Sequence, residues 1–130
     1  MRQPCALILA AAALAIPVEA AADGDAAKGR EIAVAHCARC HVVGDYNPYG
    51  GIDSTPSFQM LARRADFVER VQSFYERRPH PAFVRVPDVP RWSKAPPYAA
   101  PFIVTPEEIE HLVAFVATLK GWKRPPRRRR

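Results

Sequence analysis

The chain has 130 residues and a formal net charge of +6, from 19 Lys and Arg against 13 Asp and Glu. Its length allows one small domain rather than several. The charge is concentrated, because seven of the basic residues lie at positions 120, 123, 124 and 127–130. The body before them is close to neutral, which excludes a cationic surface spread over the whole domain. We interpret residues 122–130 as a basic, disordered tail, with weak contact to an anionic membrane or an acidic partner as its alternative role.

Residues 1–22 have the pattern of an export signal that is cleaved on maturation. Arg2 supplies a positive start, Ala6–Pro17 is apolar throughout, and small residues follow. The apolar stretch is too short to span a bilayer. We therefore expect a mature protein in the periplasm and exclude nucleic acid as a partner. Cys5 leaves with the signal, so no cysteine pair remains for a structural disulfide outside the motif described next.

Residues 37–41 read Cys-Ala-Arg-Cys-His, and C-x-x-C-H is the pattern of covalent c-type haem attachment. The thiols of Cys37 and Cys40 would add to the two vinyl groups of one haem c, and His41 would ligate the iron from the proximal side. A thioredoxin-like redox pair would require a βαβ context, and a zinc site would require a second ligand pair. The sequence offers neither. The remaining alternative is two incidental cysteines beside a core histidine.

The segment that leads into this motif is predicted to be a helix that ends near His36, with Asp23 or Asp25 as its N-cap. It contains Gly29, and glycine inside a helix costs about 1 kcal/mol relative to alanine. We therefore expect Gly29 to allow the close approach of another element.

A second long helix is predicted near the C-terminus. Thr105 suits the N-cap, Pro106 suits the first helical position, and Glu108 completes a capping box. An apolar stripe follows at helical spacing: Ile109, Leu112, Val113, Val116 and Leu119. Gly121 is predicted to end the helix. The stripe should pack on the first helix, whereas His111, which lies off the stripe, is expected to be exposed.

With these residues the chain resembles the class I cytochromes c, which are small electron carriers with one haem. The resemblance covers residues 23–121 and implies an all-α fold in which the N- and C-terminal helices cross around one covalent haem c. It implies that the helices cross at Gly29 and an aromatic residue, which would be Phe115. It also implies redox protein partners, a monomer unless the chain is a complex subunit, and a carrier rather than an enzyme.

The family places a distal methionine, commonly followed by proline, after its middle helices. Short helices are predicted at about 58–64 and 66–78, and residues 80–83 then read His-Pro-Ala-Phe. His80 stands where the family has its methionine, and we favour it as the distal ligand because the flanking prolines stiffen its backbone. Met60 is the second candidate and is otherwise interpreted as a core residue near the haem. An open or water-ligated position is the third possibility.

A proline-rich loop separates this point from the last helix. Residues 81–106 contain seven prolines, interleaved with aromatic residues, which disfavours both a helix and a flexible linker. We expect an ordered loop over the distal face of the haem that excludes water or docks a redox partner through Arg91 and Trp92. His36, just before the motif, is expected on the surface or beside a haem propionate.

These observations favour a periplasmic protein that shuttles single electrons through its haem. One alternative is a ligand-binding or sensor-type haem protein, or a minor peroxidase, which would require an open or labile sixth position on the iron. Another is the cytochrome subunit of a larger dehydrogenase or oxidase.

Overall fold

The computed structural model describes residues 24–91 and 93–127, so the predicted signal at 1–22, the alternative N-cap Asp23, Trp92 and the tail residues 128–130 lie outside it. Within these residues, four α-helices are joined by short helical turns and one two-stranded ladder. The described fold is therefore mostly helical, and the ladder is its departure from the expected all-α class. No helix in this part of the chain is long and apolar enough to cross a bilayer.

The first helix, α1, spans Ala26–Ile32 and leads directly into the C-x-x-C-H motif. Asp25, one of the two predicted candidates, is its N-cap, and its carboxylate accepts the backbone N–H groups of Ala27 and Lys28. The chain continues as a π-helical turn over Ala33–Cys37. Helical turns widened in this way are rare overall, and those that occur often lie at functional sites.

The last helix in the chain, labelled α4, spans Pro106–Thr118. The Thr105 hydroxyl accepts the backbone N–H of Glu108, and the Glu108 carboxylate accepts the backbone N–H of Thr105, which confirms the predicted capping box. The helix ends three residues before Gly121, with Leu119 as its C-cap.

The two end helices cross in direct backbone contact at Gly29, as predicted. A Cβ atom on Gly29 would lie 1.9 Å from the carbonyl oxygen of His111 and 2.9 Å from Cβ of Phe115. A Cβ on Gly24 would lie 2.1 Å from the carbonyl oxygen of Glu110. Only glycine permits this approach, which brings the apolar face of α4 onto α1.

Two short helices lie between them. The helix α2 spans Phe58–Ala62 with Ser57 as its N-cap, and α3 spans Phe67–Gln72. The predicted helix at 66–78 is shorter than expected, because the Ser73 hydroxyl binds the Glu69 carbonyl and the backbone then changes to a short 3-10 turn at Phe74–Glu76. The α-helices share one core with the motif: Ala33, Val43, Phe58, Ala62, Val71, Leu112, Val113, Phe115, Val116 and Leu119.

The proline-rich loop is anchored at both ends by a parallel ladder. Strand β1 is Val84–Arg85 and strand β2 is Phe102–Ile103, with Val84 opposite Phe102. The expected ordered, extended loop therefore closes on itself through this pair. A second core lies beneath it: Ala82, Phe83, Val84, Val86, Val104 and Ile109.

Two expectations about side-chain exposure are wrong. His111 is 7% exposed rather than on the surface, because the N-terminus of α1 covers this side of α4. Met60 is 60% exposed, so its interpretation as a buried core residue fails. It occupies the outer side of α2, whereas its neighbours Phe58 and Ala62 face α4.

The first residues of the basic tail lie against the loop that follows the motif. The Tyr49 hydroxyl donates a hydrogen bond to the Pro125 carbonyl. The guanidinium carbons of Arg124 and Arg127 lie 5.8 and 4.7 Å from the centre of the Tyr49 ring. The disorder expected of the tail stays a prediction.

Candidate cofactor site

The C-x-x-C-H residues form a tight turn at the end of the π-helical segment. The backbone N–H of Ala38 bonds the carbonyl of Ala33 at 3.0 Å, and the N–H groups of Cys40 and His41 bond the carbonyl of Cys37 at 3.1 and 2.9 Å. Both cysteines are free thiols. The turn therefore presents two thiols and one imidazole from a single rigid segment.

The thiol of Cys37 is held in its neutral form. Burial and, to a smaller extent, the nearby Cys40 raise its pKa to about 12. A neutral thiol is unsuited to binding a metal ion, which requires the thiolate, but it carries the hydrogen atom that addition across a vinyl group consumes.

The ring of His41 has its orientation and tautomer set by a backbone carbonyl. Its Nδ1 atom lies 2.7 Å from the Pro56 carbonyl oxygen. Because a carbonyl only accepts, Nδ1 carries the proton and Nε2 keeps its lone pair for a metal. Phe58 packs edge-on against the same ring, with centroids 5.3 Å apart.

His80 has the same arrangement on a different segment. Its Nδ1 atom lies 3.0 Å from the Arg77 carbonyl oxygen, so Nε2 is again the nitrogen left free for a metal. The ring lies between Phe74 and Phe83, at centroid distances of 5.2 and 5.8 Å. Aromatic contacts on two sides hold the imidazole in one orientation.

The imidazole rings of His41 and His80 lie close together and nearly parallel, at a separation that suits two ligands of one metal ion. Their ring centroids are 6.1 Å apart and their planes differ by 12°. Imidazole nitrogen binds a transition metal at about 2.0–2.1 Å, and the ring centre lies ~1 Å behind it, so two axial imidazoles hold their centres about 6 Å apart. The donor set of His41 and His80 therefore fits a six-coordinate haem iron.

Burial supports this use of both rings. It lowers the pKa of His41 and of His80 below the usual value, against the raising effect of their carbonyl partners. The neutral form, which is the form that binds a metal, is therefore favoured at neutral pH.

Sequence reasoning missed one residue that organises the site. Asn47 accepts the backbone N–H of Val43 at 2.6 Å and donates from its amide nitrogen to the carbonyls of Ala38 and His41, at 2.8 and 2.9 Å. The Asn47 side chain thus closes the loop over the motif. An Asn-Pro pair at positions 47–48 signals a turn but does not reveal which backbone groups it binds.

The other histidines are placed away from the pair formed by His41 and His80. His36 is exposed and stacks on Phe102, with centroids 4.4 Å apart and planes 9° apart, which ties strand β2 to the helix before the motif. His111 accepts the backbone N–H of Asp25 at Nδ1, at 2.9 Å, so its tautomer is opposite to that of this pair. Its Nε2 lies 3.6 Å from a Glu107 carboxylate oxygen. His111 is therefore a structural residue of the helix crossing.

The comparisons with known proteins show the family of the chain. The family model for cytochrome c matches residues 26–120. A curated relative, cytochrome c-552 of Bradyrhizobium diazoefficiens, is 37% identical over 75 residues, which cover 58% of this chain and 71% of the relative. No solved structure matches the chain significantly.

Proposed function

Because the chain belongs to the cytochrome c family, we propose that it carries single electrons between redox proteins in the periplasm. Members of this family bind haem c covalently and exchange electrons with protein partners. The chain is thus a haem electron-transfer protein, and the location, the ligands and the free, monomeric state are our proposals. The expected removal of residues 1–22 as an export signal supports the periplasm.

We assign the attachment of the haem to Cys37 and Cys40 through thioether bonds, with His41 as the proximal ligand. When bound, haem c supplies a one-electron Fe(II)/Fe(III) couple. The Pro56 carbonyl fixes the tautomer of His41, and Asn47 holds the turn that carries it. These contacts would hold the imidazole of His41 in place whichever oxidation state the iron had, so little reorganisation would be needed when an electron moves.

We assign His80 as the distal ligand, and the observation that carries this is that its ring centre lies 6.1 Å from that of His41 with the two ring planes nearly parallel. Met60 is 60% exposed on α2, which speaks against it as the alternative. A methionine opposite histidine raises the reduction potential of a c-type haem. A carrier with two histidines should therefore work at a lower potential.

The same observation disfavours a ligand-binding or sensor role, since that role needs an open sixth position. The assignment of His80 as an iron ligand also disfavours bond-making catalysis, because a coordinated imidazole cannot serve as a distal base. We propose a carrier rather than an enzyme.

The test replaces His80 in the haem-loaded protein and follows both spectrum and potential. His80→Met should keep a low-spin iron and raise the reduction potential by on the order of 100 mV, within the roughly 0.8 V that axial ligands span. His80→Ala should give a high-spin spectrum. Met60→Ala is the matched control and should change neither. A spectrum and a potential that depend on Met60 instead would overturn the assignment.

A further inference from the structure

A chain of aromatic rings leads from His80 to the surface of the proline-rich loop. Phe83 lies 5.8 Å from the His80 ring, and Tyr98 lies 5.8 Å from the Phe83 ring, edge to face. The Tyr98 hydroxyl is 3.5 Å from the carbonyl of Pro79, the residue before His80. Tyr98 is nevertheless 66% exposed. One side chain thus contacts the surroundings of the distal histidine and also faces solvent.

The segment around Tyr98 has an unusual composition for a surface. Residues 95–104 read Ala-Pro-Pro-Tyr-Ala-Ala-Pro-Phe-Ile-Val and contain no charged residue, in a chain that is 25% charged. Tyr98 and Ile103 are the most exposed large apolar side chains among the described residues, at 66% and 68%. We call residues 95–103 the apolar rim. Its prolines restrict the backbone, so little conformational freedom remains to be lost on binding.

A cleft of about 450 Å³ opens beside the Tyr98 ring. Pro79, Pro81 and Ala82 line one side together with the charged residues Glu76 and Arg78, and Ser93 and Ala95 lie on the loop side. The cleft is large enough to receive a side chain from another protein. It lies against the residues that flank His80, so a group that enters it comes close to the proposed distal ligand.

We propose that the apolar rim is the docking surface for a redox protein that presents an uncharged patch of its own. This inference rests on the proposed function. The cores of protein interfaces are depleted of charge, and exposed tyrosine is among the residues that most often carry binding energy. Docking here shortens the separation between the partner and the distal side of the site. One electron passes in either direction, the partner being the oxidant or the reductant, and no bond forms or breaks.

The experiment compares three metal complexes of charge 3+, one with aromatic ligands and two with ammonia ligands. Oxidised, haem-loaded, isotope-labelled protein is titrated with tris(phenanthroline)cobalt(III), which is aromatic and cannot oxidise Fe(III), and with hexaamminecobalt(III). Amide chemical shifts report binding without electron transfer. The second-order rate of oxidation of the reduced protein is then measured with tris(phenanthroline)cobalt(III) and with hexaammineruthenium(III).

The aromatic complex should shift amides of the apolar rim, and Tyr98→Ala should slow oxidation by this complex about 2- to 10-fold, the size of one aromatic contact. Tyr98→Phe should retain the rate. Tyr46→Ala removes a tyrosine that is 54% exposed elsewhere and should have no effect. Hexaammineruthenium(III) should oxidise all variants at similar rates.

Several results would overturn the docking surface. These are an unchanged rate in Tyr98→Ala, an equal loss in Tyr46→Ala, dimers in sedimentation that Tyr98→Ala abolishes, or binding to phosphatidylcholine vesicles that depends on Tyr98. The absorption spectrum of each variant separates this failure from that of the proposed function. Absence of covalent haem contradicts the proposed function, whereas a normal haem spectrum with one of the results above contradicts only the docking surface.

Discussion

Replacing Gly29 with alanine should force the two end helices apart. The new Cβ would lie 1.9 Å from the backbone carbonyl oxygen of His111, whereas real Cβ contacts are at least 3.0 Å, so the helices must separate by about 1.1 Å. The obstacle is a backbone carbonyl group, which cannot rotate away as a flexible side chain could. Overpacking typically lowers the free energy of unfolding by about 1–3 kcal/mol. We take about 3 kcal/mol here, because separating the helices by this distance also forfeits a quarter to a half of the dispersion energy at their contact.

Alanine has an opposing effect, because it favours the helix over glycine by about 1 kcal/mol. The expected net loss in the free energy of unfolding is therefore about 2 kcal/mol. Guanidinium unfolding of the haem-loaded protein measures it, with Gly121→Ala as the matched control, because nothing lies within 4 Å of a Cβ there. The control should change stability by less than about 0.5 kcal/mol. A Gly29→Ala protein as stable as the wild type, or more stable, would refute the close crossing.

Three further predictions concern side chains that bind backbone or other side chains. Asn47→Ala should destabilise the protein by about 2–3 kcal/mol in the same unfolding assay, because it leaves three backbone groups around the motif unpaired. A loss below about 0.5 kcal/mol would contradict the role of Asn47 in closing the loop over the motif. His111→Leu should cost about 1–3 kcal/mol, since the Asp25 N–H loses its acceptor, and His111→Gln should recover part of it. Hydrogen bonds from Arg64 and then Arg70 lower the pKa of Asp66 to about 2. The ionised Asp66 therefore stabilises the fold fully above its unfolded pKa of ~3.9, and this stabilisation is lost as pH falls through 2. Thermal melts of Asp66→Asn should therefore converge with the wild type at low pH, and a constant difference at all pH values would contradict the pairing.

The end helices were predictable because their signals are local. Thr105 and Glu108 define the start of α4 by their spacing alone, and the start of α1 was narrowed to Asp23 or Asp25, of which Asp25 is the N-cap. Gly29 carries a tertiary signal as well, since a glycine inside a helix costs stability unless something packs on it. The C-x-x-C-H motif is also local, because its chemistry depends on residues in one turn.

The remaining features depend on contacts between distant segments. His111 was expected to be exposed because it lies off the apolar stripe of α4, but its partner Asp25 is 86 positions away along the chain. The tautomers of His41 and His80 depend on carbonyls whose positions the sequence does not encode locally. The ring chain that ends at Tyr98 likewise requires the loop to fold back over Phe83.

The near-infrared magnetic circular dichroism spectrum of the oxidised, haem-loaded wild-type protein tests the central claim most directly. The charge-transfer band of low-spin ferric haem reports the pair of axial ligands. The close, nearly parallel rings of His41 and His80 predict a bis-histidine band. A histidine–methionine band, or the bands of high-spin iron, would contradict the ligand pair proposed for this chain.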